Sequence, residues 1–111
     1  MAKYEAYLRG NFDEIASAIH NGILSGSISA SYEDGSDYGG RGLRCAVRVY
    51  ERFSYMGGNR VSLNVTLLDD GGRVFLSAIT AGGSKAVFFK INTIGEESFL
   101  DCLVDIVRRY Q

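Results

Sequence analysis

The spacing of apolar residues along this chain switches repeatedly between a period of two and the helical repeat, and each switch marks an element. Residues 3–9 alternate, with Tyr4, Ala6 and Leu8 on one side and Lys3, Glu5, Tyr7 and Arg9 on the other. Such alternation predicts a half-buried strand, which Gly10 ends. Phe12, Ile15, Ala16, Ile19 and Ile23 then recur at helical spacing. Asn11 is placed to cap this helix, with Asp13 and Glu14 in the first turn, where the helix dipole favours negative charge. Gly22 and Gly26 bracket its expected end.

Period two returns over Ser27 to Asp34, a second expected strand with Ile28, Ala30 and Tyr32 inward. Residues 35–42 (GSDYGGRG) are half glycine and read as a loop. In the next strand Leu43, Cys45, Val47 and Val49 form one face, read as the core side, against Arg44, Ala46, Arg48, Tyr50 and Arg52. A turn at 54–59 leads to a strand in which Val61, Leu63, Val65 and Leu67 oppose Ser62, Asn64 and Thr66. Asp69-Asp70-Gly71-Gly72 is a hairpin turn, with residues 73–80 as the returning arm. Residues 81–85 read as another turn and 86–91 as one more strand. Thr93 and Glu96 then form a capping pair before a closing helix striped by Phe99, Leu100, Leu103, Ile106, Val107 and Tyr110.

Strands joined by short turns, with a helix near each end, predict an α+β two-layer sandwich: an antiparallel sheet with two helices on one face. The order is β-α-β4-α, with room for one extra strand. That order resembles TBP-like and helix-grip domains, a likeness of topology that does not fix a function. The segment GGSKAVFFKINTIGEESFLD, residues 82–101, resembles a stretch of a small bacterial protein family of unknown function, which implies no activity.

Composition narrows the classes. At 111 residues the chain makes one domain spanning 1–111. Twelve Lys and Arg against 13 Asp and Glu give a net charge of −1, so no global attraction draws it to nucleic acid or anionic lipid. No apolar run approaches the about 20 residues that span a bilayer. Two cysteines are not a disulfide framework. The expectation is a reduced, cytoplasmic protein without a membrane role.

Candidate chemistry is sparse. His20 is the only histidine and lies on the flank of the first helix's stripe, which leaves no histidine for a triad elsewhere. Cys45 is expected to face the core and Cys102 to flank the last helix's stripe; without further Cys or His at ligand spacing, no zinc set forms. No catalytic residue, metal or cofactor is expected. Gly82, Gly83, Ser84 and Lys85 are a weak anion loop, because the residues after them read as a strand and supply no helix N-terminus.

Three binding surfaces remain. Tyr7, Arg44, Arg48, Tyr50 and Arg52 on a polar sheet face would suit a nucleic-acid module, since stacked aromatics and cations hold single strands. A solvated face is the plainer reading. The helix-grip resemblance implies a small apolar ligand held between the last helix and the sheet. Its wall would be Phe99, Leu103, Ile106 and Val107 against Val47, Val49, Leu63 and Val65, unless these simply fill one another's space. Finally, residues 73–80 are apolar on both sides, with Phe75 and Ile79 opposite Val74 and Leu76, which points to a homodimer partner over the second face. The leading expectation is therefore a non-enzymatic domain acting by self-association, by binding a small apolar ligand, or both.

Overall fold

Alternation at the front of the chain produces β1 (Ala2–Leu8), and the Asn11 cap starts α1 (Phe12–Ser25). The cap is made as the sequence implies: the Asn11 side chain accepts a hydrogen bond from the Glu14 amide at 2.9 Å. The remaining elements are β2 (Ser31–Gly40), β3 (Leu43–Ser54), β4 (Asn59–Asp69), β5 (Val74–Gly82), α2 (Phe89–Val107) and a 3-10 turn, Arg108–Tyr110. This is a computed structural model, and it describes residues 1–54, 59–82 and 89–111. The five strands form one antiparallel sheet in the order β1-β5-β4-β3-β2, which realises the expected β-α-β4-α sandwich.

One sheet face carries the core. Val61, Leu63, Val65 and Leu67 of β4 and Val74, Leu76 and Ala78 of β5 are buried there against Phe12, Ile15, Ile19 and Ile23 of α1. From α2 and the closing turn come Phe99, Leu100, Leu103, Val107 and Tyr110. Fully burying one such Leu or Ile contributes roughly 1.5–3 kcal/mol. α2 lies over β1, β5 and β4 and packs along α1, so both helices share this face.

Two expectations at β2 change. The strand placed at Ser27–Asp34 begins only at Ser31, and Ile28 is fully exposed rather than inward. The expected loop at 35–42 is strand up to Gly40. Glycine disfavours strands only weakly compared with a complete ladder: Gly35 to Gly40 pair in register with Arg48 to Leu43. A two-residue turn closes this hairpin, with Arg41 at φ 56° and Gly42 at φ 77°, the backbone hand that matches strand twist. The Asp69–Gly72 turn is as expected, with the Asp69 carboxylate accepting from the Gly71 amide at 2.8 Å.

The strand expected at 86–91 is replaced in part by helix, since α2 starts at Phe89 and runs through Thr93 and Glu96. A short apolar run cannot be assigned to strand or helix by periodicity alone. Residues 86–88 lie outside the described residues, as do Gly83, Ser84 and Lys85 of the anion loop and residues 55–58 of the preceding turn. Gly82 pairs with Val61 at the end of β5.

Candidate functional site

Register across the sheet fixes which side each β3 residue faces. Arg52, Tyr50, Arg48 and Ala46 stand opposite Val61, Leu63, Val65 and Leu67, the core row of β4. The residues read as a polar outer face therefore lie beneath the helices. Arg44 lies over the Phe12 ring at 4.5 Å and grips Asp13 through two hydrogen bonds of 2.8 and 2.9 Å. Arg52 lies over Phe99 at 4.7 Å and donates to Ser98 at 2.8 Å. Tyr50 is completely buried. Long arginine stems cover apolar rings while their charged ends reach the rim, so alternation with arginine did not mean a solvent face. Of the expected polar face, Tyr7 alone lies on the outer side, and the group does not form one surface.

The same inversion divides the expected ligand wall. Val47 and Val49 pair with Thr66 and Asn64 and so face away from the helices, as does Cys45, which the sequence placed in the core. Leu63, Val65, Phe99, Leu103 and Val107 are each at most 1% exposed and belong to one contiguous core, and Ile106 is partly buried at its margin. Six of the eight residues meet; the two valines belong to the opposite surface.

That opposite surface is a candidate site in its own right. In register across all five strands run Tyr7, Phe75, Leu68, Cys45 and Tyr38. Tyr7 and Phe75 pack at 5.4 Å between ring centroids, and the Arg73 guanidinium covers Tyr7 at 3.8 Å. Leu43, Val47, Val49, Phe53 and Ile79 extend the apolar area on the same side, and no described helix covers it. At the two edges of the row, Tyr7 is 53% and Tyr38 62% exposed. Toward the far end the face turns polar, with Lys3, Glu5, Asp34, Glu51 and Arg60; Arg60 donates to Glu51 at 2.7 Å.

A second, polar site lies on the helix side, where α1 meets β2. His20, on the α1 flank, has Nδ1 3.0 Å from the Tyr50 hydroxyl, and its ring meets Tyr32 edge to face at 5.2 Å. Burial pushes Tyr50 up to about 12, with the nearby Arg48 guanidinium pulling weakly the other way. Arg48 pairs with Asp37 at 2.9 Å. The cleft so formed encloses about 410 Å³. Sequence reading missed Tyr32, Asp37, Ser17 and Asn21 as lining residues. A signal was present: beyond Tyr32 the helix-side positions of β2 are Gly35, Asp37 and Gly39, none of which could fill a core.

The whole chain, residues 1–111, matches the model of a family described as a family of unknown function (DUF6054). The chain belongs to DUF6054. No curated protein and no solved structure matches it.

Other reactive groups of this DUF6054 chain are quiet. Cys45 and Cys102 are both free thiols, and burial raises the Cys102 thiol, which keeps it protonated at neutral pH. Among the described residues no three His, Cys, Asp or Glu side chains cluster as metal ligands. No described helix is long and apolar enough to cross a membrane. Glu96, buried at the start of the α2 core stripe, meets the α-ammonium group of Met1.

Proposed function

We propose that this DUF6054 chain is a non-enzymatic cytoplasmic domain that acts by self-association, two copies packing through the open faces of their sheets. The observation that carries this reading is the unbroken row Tyr7–Phe75–Leu68–Cys45–Tyr38 on a face that no described helix covers. A second copy fits for two reasons. Five strands at about 4.8 Å spacing and about nine residues at 3.3 Å give a face of roughly 24 by 30 Å, or about 700 Å², close to the ~800 Å² per partner of a standard interface. The polar end also carries both signs, Lys3 and Arg60 with Glu5, Asp34 and Glu51, as a self-complementary two-fold contact requires.

The test is sedimentation over a concentration series, with Leu68→Glu as the variant. The native chain is expected to dimerise, and the variant to weaken the dimer at least about a hundredfold, since stranding an unpaired charge in an interface costs about 3–5 kcal/mol. A chain that stays monomeric at high concentration would remove the proposal, as would a variant that dimerises like the native protein.

A further inference from the structure

We infer that the two copies meet about a two-fold axis running along β4, so that Lys3 pairs with Asp34 of the partner subunit. β1 of each copy then lies over β2 of the other. This rests on the self-association reading and adds to it the direction of the axis and the residue pairs that select it.

Strand register turns the outer face into a grid, with side chains in levels two residues apart. The first level is the row from Tyr7 to Tyr38. The second reads Glu5, Ser77, Thr66, Val47 and Ser36, and the third Lys3, Ile79, Asn64, Val49 and Asp34. Aligned face-to-face packing allows two kinds of two-fold axis between the sheets, one along the strands and one across them.

An axis along β4, the central strand, keeps each level on itself and exchanges its two ends. In the first level Leu68 then meets the partner's Leu68, and Phe75 meets the partner's Cys45. In the third, Ile79 meets the partner's Val49, and Lys3 meets the partner's Asp34, once at each edge of the dimer. Lys3 and Asp34 are both exposed, and among the described residues of its own chain neither has an ion-pair partner. The second level sets Glu5 against the partner's Ser36, a hydroxyl that can donate to it. Sheets packed in this way cross at about 30°, and a lysine side chain is long enough to span the offset this leaves at the corners.

An axis across the strands matches poorly. Placed to keep all three levels overlapped, it lays the second level on itself, with Glu5 against the partner's Glu5. It also lays the first level on the third, with Leu68 against the partner's Asn64. Facing like charges repel, and an amide pressed on a leucine loses its water without gaining a partner. Only the axis along β4 sets apolar groups on apolar groups and opposite charges together.

Sedimentation of the native chain decides self-association itself, and a monomer ends both readings. Lys3→Glu and Asp34→Lys chains are then measured separately and as an equimolar mixture, at low salt. Alone, each variant sets two like-charged pairs across its dimer and is expected to associate at least about tenfold more weakly. Mixed, a dimer of one variant with the other carries opposite charges at both edges, and native affinity is expected to return. A native dimer whose mixture associates no better than the separate variants would overturn the axis and leave self-association standing. Variants that each dimerise like the native chain would do the same. Should either variant fail to fold, a short bis-maleimide decides in a Cys45→Ser background. Leu68→Cys, which faces its own copy, is expected to cross-link, and Phe75→Cys, which does not, to stay uncoupled; any other pattern overturns the axis.

Discussion

Ile106 of α2 lies directly across Gly22 of α1, and the missing side chain at Gly22 is what lets the two helices approach. A Cβ on Gly22 would stand 2.6 Å from Ile106 Cδ1 and 2.8 Å from Cγ1. One turn later a Cβ on Gly26 would meet Cys102 Sγ at 3.0 Å, so the pair four residues apart forms a bare stripe for α2. In an unhindered helix Gly22→Ala would stabilise by about 1 kcal/mol. Here overpacking costs about 1–3 kcal/mol, so the variant is expected to be less stable than the native chain. In an Ile106→Ala background the same change should become stabilising. Denaturant unfolding of the four chains measures this, and an equal effect in both backgrounds would remove Ile106 as the cause.

Tyr50 links the core to alkaline stability. Burial raises its phenol from 10.0 to about 12, so the folded state favours the neutral form. The stabilisation is complete below pH 10 and is lost as pH rises through about 12, because the unfolded chain ionises first. Tyr50→Phe should therefore flatten the alkaline limb of the stability curve and remove a phenol that titrates at about 12 from an ultraviolet titration. At neutral pH the variant should lose about 1 kcal/mol with its hydrogen bond to His20. An unchanged titration would show that the raised phenol is not that of Tyr50.

How legible the fold was depends on whether one local rule sufficed. The Asn11 cap, the α1 stripe and the Asp69–Gly72 turn each follow from neighbours in sequence, and each is found where expected. β3 is different because both of its faces carry apolar groups, Leu43, Cys45, Val47 and Val49 on one and Ala46 and Tyr50 on the other. Which face is covered is decided by where Phe12 and Phe99 dock, and that is tertiary information. The glycines of β2 misled for a related reason. They signal a loop by propensity, but pairing with β3 supplies the ladder, and their bareness shapes the α1–β2 cleft instead. The apolar second face of residues 73–80 was legible, because Phe75 and Ile79 alternate with Val74 and Leu76.

The Asp13–Arg44 pair predicts the acid limb. Two hydrogen bonds from the Arg44 guanidinium hold the Asp13 carboxyl below its ordinary 3.8. A depressed carboxyl stabilises the fold at pH above 3.8, and that contribution fades as pH falls through its folded value. Asp13→Asn should thus be less stable than the native chain at neutral pH, by the small amount typical of an exposed pair, and the two should converge in acid. Unfolding midpoints across the acid range test this. A stability gap that is the same at every pH would assign the effect to helix capping rather than to the ion pair.

Cys45 offers a chemical readout of self-association. It sits in the apolar row between Leu68 and Tyr38, so sheet-on-sheet packing would cover it completely. Cys102 is a built-in contrast: burial against α1 raises its thiol and keeps its thiolate scarce whatever the oligomeric state. Alkylation followed by peptide mass analysis should show Cys45 reacting at least tenfold faster in dilute than in concentrated protein, with Cys102 slow throughout. Leu68→Glu should abolish the concentration dependence at Cys45 and leave Cys102 unchanged. If Cys45 instead reacts at one rate across the dilution series of a chain that sedimentation shows to be dimeric, the dimer uses a different surface, and the sheet edges at β1 and β2 become the next place to look.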